Sequence, residues 1–171
     1  MPAETRGRIL SLYDGVDTRA VREFATRNQI TKRRSTMASS VGQFCIAVAD
    51  LEESVRFYTE IMGLEEQGRT EIPNVDEVHL AGQEGGGRIQ LAKFAETMRP
   101  GPIDHGFALW KIYINVDDAA ETWKRAVDAG YKSVMEPERL DRWPVVVGFV
   151  LDPDGYLIEI IQHDGPRPGE A

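Results

Sequence analysis

Four polar side chains occupy matching positions in the two halves of this 171-residue chain. Gln43 and Lys111 lie 68 residues apart, and Gln90 and Glu159 lie 69 residues apart, each within an apolar run. An amine opposite a carboxylate can stabilise a developing oxyanion, form an imine with a carbonyl group or relay a proton. The same two groups can also form a salt bridge that closes an inactive cavity, so the residue types alone leave both interpretations open.

The spacing of these residues follows from an internal repeat. Residues 48–63 and 116–130 both carry an Asp-x-x-Glu pattern near their start and end at a glycine. A second pair of apolar segments, 88–92 and 157–161, repeats at nearly the same offset. Two similar modules in one chain imply pseudo-twofold packing, in which equivalent positions face each other across one site. We therefore expect the four polar residues to face each other in this way.

Each module has the periodicity of one strand, one helix and three further strands. Leu51, Val55, Tyr58 and Met62 fall on one face of a helix that Asp50 can cap. The predicted strands are 41–48, 65–72, 77–82 and 88–94 in the first module and 109–116, 132–136, 145–150 and 156–162 in the second, and the predicted helices are 50–62 and 118–129. The sequence thus predicts an α+β fold of two tandem βαβββ modules that form a cupped, partly open mixed-sheet barrel, with an N-terminal extension.

The domain boundaries follow from the same pattern. We expect residues 1–40 to form an N-terminal extension and linker, with a short helix over 18–28, and residues 164–171 to form a flexible tail. The predicted domain is 41–163, divided into module one at 41–95, a Pro/Gly-containing linker at 96–107 and module two at 108–163. The extension is either a docking arm or a dispensable tail.

Charge and cysteine content exclude several functional classes. Residues 1–38 carry a net charge of +4 and the remainder −12, and such an acidic body repels the phosphate backbone of nucleic acids. No apolar run approaches the roughly 18 residues of a membrane helix. The single cysteine, Cys45, excludes an internal disulfide and suggests a reducing compartment. We therefore expect a cytoplasmic protein that binds neither nucleic acid nor membrane.

Two segments resemble the vicinal oxygen chelate superfamily, which includes glyoxalase I, ring-cleaving dioxygenases and bleomycin-resistance proteins. They are VADLEESVRFYTEIMGL at 48–64 and DPDGYLIE at 152–159, and the resemblance covers about 41–163. It implies the paired-module fold but says little about function, because one scaffold serves many chemistries. We expect a homodimer, and the resemblance leaves open whether the modules pair within one chain or between two.

The resemblance also implies where a metal would bind. Metal-dependent members of the superfamily place four ligands on the inner strands, in the order His or Gln, Glu, His and Glu. By motif position these fall on Gln43, Gln90, Lys111 and Glu159. A protonated lysine cannot donate to a metal, and two amides with one carboxylate make a weak oxygen site. We therefore expect no metal and no other cofactor, with a divalent ion as the less favoured alternative.

Candidate roles follow from strand alternation and charge. Lys111 and Glu159 are the expected catalytic residues, while Trp110 should face the helix layer. The expected substrate-binding residues are Gln43, Gln90, Arg88, Tyr113 and Cys45. Arg88 would bind an anionic group, and the others share the face of the catalytic pair.

Two functions are compatible with these residues. The first is a lyase or isomerase for a small carbonyl compound, in which Lys111 stabilises an enolate oxygen or forms an imine and Glu159 moves the proton. The alternative is a non-catalytic protein that binds and sequesters a small molecule, as bleomycin-resistance proteins do, and the acidic body would suit a cationic ligand. The sequence does not name the substrate.

Overall fold

A computed structural model describes residues 41–83, 86–106 and 108–165 of the chain. The predictions for residues 1–40 and for the tail beyond residue 165 lie outside the described residues. The strands are β1 (Phe44–Ala47), β2 (Glu65–Ile72), β3 (Val75–Ala81), β4 (Arg88–Phe94), β5 (Ile112–Asn115), β6 (Ser133–Arg139), β7 (Val145–Leu151) and β8 (Leu157–His163). The helices are α1 (Leu51–Arg56), which continues as a π-helical segment (Phe57–Ile61), and α2 (Ala119–Asp128).

The strands form two four-stranded sheets of identical topology, ordered β1-β4-β3-β2 and β5-β8-β7-β6. β1 runs parallel to β4 and β5 runs parallel to β8, and the remaining neighbours in each sheet are antiparallel. This arrangement confirms two tandem βαβββ modules. Within the described residues the two sheets stay separate and do not close into one barrel.

Both helices begin at an aspartate that caps them, as the repeat predicts. The Glu53 backbone N–H donates to Asp50 Oδ1 at 3.0 Å, and the Glu121 N–H donates to Asp118 Oδ1 at 2.9 Å. Each bond satisfies one of the donors that a helix start leaves free. A glycine with positive φ follows each helix and ends it. None of the helices described in the structure has the length and apolarity needed to cross a membrane.

The first helix departs from the predicted regular α-helix in its second half. Its last turns are π-helical, with the Met62 N–H donating to the Phe57 carbonyl at 3.1 Å. Both Phe57 and Tyr58 are fully buried there. The Phe57 ring packs edge-on against Tyr131 of the second module at 4.8 Å between centroids, so the helix layer joins the two modules.

A turn of the second module, Asp152–Gly155, makes a further connection to the first. The Tyr58 hydroxyl donates to Asp152 Oδ2 at 2.9 Å, and the Ala49 N–H donates to Asp154 Oδ1 at 3.0 Å. Asp152 is buried, and its other oxygen accepts bonds from the backbone N–H groups of Asp154 and Tyr156. The turn therefore connects β7 and β8 to the first helix, both just before its start and in its π-helical segment.

β1 and β5 begin three residues later than predicted. Ladder pairing starts at Phe44 opposite Ile89 and at Ile112 opposite Ile158. The three residues before each strand have no ladder partner, so strand alternation does not govern their side chains. Gln43 and Lys111 consequently lie immediately before their strands.

Candidate functional site

Lys111 and Glu159 form an ion pair at the start of the second sheet. Lys111 Nζ lies 2.5 Å from Glu159 Oε2, and the two side chains are 11% and 7% exposed. Both partners are ionisable groups of opposite charge, so the contact is a salt bridge. β5 and β8 bring the residues together because Tyr113, two residues after Lys111, lies opposite Glu159 in the parallel ladder.

The surroundings keep Lys111 charged. Burial acts to lower the pKa of Lys111, but the Glu159 carboxylate and the Tyr113 hydroxyl outweigh it, so this pKa lies above its ordinary value. An ammonium must lose a proton before it can attack a carbonyl group. The charge state therefore favours electrostatic stabilisation of an oxyanion over imine formation.

Three aromatic rings surround the ammonium. Lys111 Nζ lies 4.2 Å from the ring centroid of Trp110, 4.6 Å from Tyr113 and 5.5 Å from Phe149. Rings within about 6 Å attract a cation through their quadrupole. The prediction that Trp110 faces the helix layer is wrong, because this residue precedes the strand and is 75% exposed. β7 supplies Phe149, which lies opposite Glu159 in the antiparallel ladder.

The first module holds an amide pair at the equivalent position. Gln43 Nε2 donates to Gln90 Oε1 at 2.5 Å, so each module joins its pre-strand residue to its last strand. The internal repeat predicts that these amides face Lys111 and Glu159 across one site. Among the described residues, no hydrogen bond or ion pair links the two pairs, and each pair forms within its own module.

The other predicted substrate-binding residues, Cys45, Arg88 and Tyr113, lie in three different surroundings. Cys45 lies opposite Gln90 in the ladder, and partial burial of its thiol together with the nearby Glu77 carboxylate raises its pKa. The thiol is therefore protonated near neutral pH, which disfavours it as a nucleophile. Arg88 is exposed at the first position of β4. Of this group, Tyr113 is the residue that contacts Lys111.

A cavity of about 140 Å³ opens beside Lys111. Its lining residues are His105, Leu109, Trp110, Lys111, Ile112, Gly155, Tyr156 and Leu157. The His105 ring packs edge-on against Tyr156 at 4.5 Å between centroids, and its Nε2 is shielded from solvent without a hydrogen-bond partner in the described part of the chain. No sequence pattern marks His105, because the residues that hold it come from a turn distant in sequence.

The residues at the family's ligand positions do not fit a divalent metal ion. Two neutral amides bond to each other, one position carries a protonated amine, and the one carboxylate is paired with that amine. Such a donor set offers no site with three or four free ligands. In the described ranges no cluster of three His, Cys, Asp or Glu side chains could hold a metal ion.

The sequence of this chain is similar to a known protein family and to several of its members. The model of the glyoxalase/bleomycin resistance protein/dioxygenase superfamily matches residues 40–160. A probable lactoylglutathione lyase of Synechocystis sp. is 34% identical over 124 residues, which cover 71% of this chain and 94% of the relative. A probable lactoylglutathione lyase of Vibrio parahaemolyticus is 35% identical over 126 residues, which cover 72% of this chain and 91% of the relative.

Solved structures share the fold. A glyoxalase family protein from Bacillus cereus superposes with a TM-score of 0.65 at 20% identity, covering 77% of this chain and 98% of that one. Glyoxalase I from Zea mays gives a TM-score of 0.64 at 24% identity, covering 75% of this chain and 47% of that one. At these identities the likeness concerns the fold alone.

Proposed function

Because this chain belongs to the glyoxalase/bleomycin resistance protein/dioxygenase superfamily, we propose that it is a glyoxalase-like enzyme with lyase or isomerase chemistry on a small carbonyl-containing molecule. The observation that carries the proposal is the buried Lys111–Glu159 pair at two of the four ligand positions of metal-dependent members. The relatives named lactoylglutathione lyase support lyase chemistry.

In the proposed reaction the Lys111 ammonium takes the place that a metal ion has in metal-dependent members, beside the reacting oxygen. A substrate carbonyl oxygen approaches Lys111 Nζ, and Glu159 removes a proton from the adjacent carbon. The electron pair of that C–H bond forms the enolate, whose negative charge on oxygen the ammonium stabilises. Glu159 then returns the proton to a neighbouring atom, or a leaving group departs from the enolate with its bonding electrons.

The aromatic rings strengthen this arrangement. They keep water away from one side of the ammonium, and electrostatic attraction is stronger where water is excluded. Trp110 and Tyr113 also offer flat apolar surfaces to the substrate body. In this proposal Gln43, Gln90 and Arg88 bind more distant polar groups of the substrate.

Substitution of the ion pair tests the proposal. Conversion between lactoylglutathione and methylglyoxal with glutathione is the first reaction to assay, because the relatives carry that name. Lys111→Met should lower kcat about 100-fold or more, as expected when one oxyanion donor is removed. Glu159→Gln should lower kcat by a factor of about 100 to 10,000, as expected for loss of a general base.

Lys124→Met is the matched control, since it removes a lysine that pairs with Asp128 on the exposed face of α2. This variant should retain wild-type kcat. Thermal unfolding of all three variants separates damage to the site from damage to the fold. Full turnover by Lys111→Met would remove the enzyme proposal.

The second candidate function is non-catalytic binding of a small molecule. One observation favours it, namely that the charge of Lys111 is already neutralised by Glu159 within a cluster of aromatic rings. A binder would hold its ligand tightly without turnover, and Lys111→Met would leave the affinity unchanged. The assay above therefore distinguishes the two functions.

We further propose that a second copy of the chain completes the site. β1 and β5 are edge strands of their sheets, and exposed apolar side chains lie on them or in the three residues that precede them. These side chains are Val41, Phe44, Leu109 and Tyr113. A homodimer that sets β1 of one copy beside β5 of the other would cover them and would bring the amide pair of one copy to the ion pair of the other.

A further inference from the structure

The cavity beside Lys111 has a wall that is mostly apolar. Five of its eight lining residues are apolar or aromatic, namely Leu109, Trp110, Ile112, Tyr156 and Leu157. The Tyr156 hydroxyl donates to the Ala47 carbonyl at 3.0 Å, so the polar atom of this residue already has its partner. Cavities that bind small molecules are typically lined in this way, with a few polar groups that fix the orientation of the ligand.

The polar residues of the wall offer nothing to a charged ligand. Lys111 is the one lysine, arginine or acidic residue of the wall in the described ranges, and its ammonium is already paired with Glu159. His105 Nε2 is shielded from solvent, so no ligand atom reaches it. A charged group in the cavity would lose its hydration without gaining a free partner, which is costly. The wall therefore favours a neutral, apolar ligand.

The size of the cavity suits a single aromatic ring. Its volume is about 140 Å³, and an apolar protein cavity of about 150 Å³ can hold one benzene molecule. Ile112 and Leu157, the first residues of β5 and β8, are half-buried in the wall. Trp110 is 75% exposed, so its ring has apolar surface that a ligand can cover. A six-membered ring would thus fill the cavity.

We propose that this cavity binds an uncharged aromatic ring of the substrate, with the substrate carbonyl group at the mouth of the cavity beside Lys111. The inference rests on the proposed function and narrows it. Because Glu159 takes a proton from the carbon next to the carbonyl group, the substrate class becomes aryl ketones with a C–H bond on the side away from the ring. Burial of the ring supplies binding energy without using the ion pair.

Methyl-group NMR with acetophenone as the probe tests the proposal. The methyl signals of Leu157 are assigned by their loss in Leu157→Phe. Those of Leu140, which lies outside the cavity, are assigned by their loss in Leu140→Phe. Acetophenone should move the Leu157 signals saturably, because an aromatic ring shifts the signals of protons beside it. The Leu140 signals should stay unchanged.

Two further probes test charge and ring separately on the wild-type protein. 4-Acetylbenzoate carries a carboxylate on the end of the ring that enters the cavity, and it should bind at least about 10-fold more weakly than acetophenone. Acetone lacks the ring and should also bind at least about 10-fold more weakly, because it buries less apolar surface. Equal affinity for acetophenone and 4-acetylbenzoate, or Leu157 signals that acetophenone does not move, overturns the proposal.

Filling the cavity completes the test. Leu157→Phe adds volume to the wall and should weaken acetophenone binding about 10-fold or more. Leu140→Phe is the matched control, since it makes the same change at a half-buried leucine outside the cavity, and it should bind as the wild type does. Thermal unfolding checks that both variants fold, and the comparison of probes on the wild type does not depend on them. Undiminished binding by folded Leu157→Phe would contradict the proposal.

Exchange of the acetophenone methyl protons for solvent deuterium separates this inference from the proposed function. Such exchange shows that a proton leaves the carbon next to the carbonyl group and that a deuteron takes its place. Saturable binding at Leu157 without exchange would keep the aromatic cavity and remove the enzyme reaction. Exchange that Lys111→Met abolishes, without any effect of acetophenone on the Leu157 signals, would keep the enzyme and overturn the aromatic cavity.

Discussion

Two opposing effects set the pKa of Lys111: burial lowers it, and the Glu159 carboxylate raises it. The balance decides whether the side chain acts as a cation or as a nucleophile. Because the Glu159 contribution prevails together with that of Tyr113, the cationic role is available near neutral pH and the nucleophilic role is not. Glu159 and Tyr113 thus favour the cationic mechanism over the nucleophilic one.

Glu159→Gln should therefore lower the pKa of Lys111, since burial remains while the opposing charge is lost. In the wild type a raised lysine pKa adds stability below the ordinary value of 10.5, and this stability is lost as pH rises through the raised value. The variant should lack that alkaline loss. NMR titration of the Lys111 Cε signal and urea unfolding above neutral pH measure both effects.

Asp128→Asn is the control for this titration, because it removes the partner of an exposed lysine on α2 and leaves Lys111 untouched. An unchanged Lys111 pKa in Glu159→Gln would show that the ion pair does not set the charge state.

The ligand positions allow a complementary test of the metal question. The double substitution Gln90→Glu and Lys111→His supplies the ligand types that metal-dependent members use, alongside Gln43 and Glu159. This variant should bind one divalent ion per site, and the wild type should not. Metal analysis of both proteins, purified without chelators, measures the difference. A stoichiometric divalent ion in the wild type would overturn the proposal that the Lys111 ammonium takes the place of a metal ion.

At the scale of elements, the Asp152–Gly155 turn connects the two modules through a buried carboxylate. Burial raises the pKa of Asp152 to about 6, although the Tyr58 hydroxyl and the Tyr156 N–H act to lower it. A carboxyl whose pKa is raised on folding costs stability as pH rises from its ordinary value of 3.8 through the raised value. The turn is therefore held less firmly above pH 6 than below it.

Tyr58→Phe should amplify this pH dependence. The substitution removes the donor to Asp152 Oδ2, and a buried carboxylate without its donor costs about 1–3 kcal/mol. The pKa of Asp152 should rise further. The variant should therefore lose more free energy of unfolding above pH 6 than below it. Urea unfolding on both sides of pH 6 measures the free energy of unfolding.

Tyr131→Phe provides the comparison, since Tyr131 also packs against Phe57 but does not donate to Asp152 in the described structure. Its effect should be smaller and independent of pH. Equal destabilisation by Tyr58→Phe on both sides of pH 6 would contradict the role of the carboxylate.

At the scale of the whole molecule, the amide pair and the ion pair form separately, and no hydrogen bond or ion pair joins them among the described residues. The Gln43–Gln90 pair and the Lys111–Glu159 pair sit at equivalent places in separate sheets. In the proposed dimer, each copy would cover the exposed edges of the other. The amide pair of one copy would then meet the ion pair of its partner, and this would happen at two equivalent sites. Dimerisation and activity should then depend on the same surface.

Phe44→Lys should convert the proposed dimer to a monomer and lower activity in parallel, because it places a charge in the apolar surface of β1. Val134→Lys changes a similarly exposed residue on β6 and should leave both properties unchanged. Sedimentation equilibrium measures the mass of each protein. A monomeric wild type with full activity would show that one chain suffices.

The amino-acid sequence determined the order of elements and the ends of several of them. β2 and β4 occupy their predicted residues, and both helices start at their predicted aspartates. These features depend on local periodicity and on capping within a few residues, which the chain order carries directly. The internal repeat likewise identified the residues that form the amide pair and the ion pair.

The tertiary structure alone decided which groups surround those pairs. The exposed position of Trp110, the ring of Phe149 beside Lys111, and the packing of the His105 ring against Tyr156 depend on contacts between segments far apart in sequence. Periodicity cannot encode such contacts, because it specifies a face of an element and not the neighbour that the face meets. The charge state of Lys111 depends on the same packing, since both its burial and its distance from Glu159 arise only when the strands assemble.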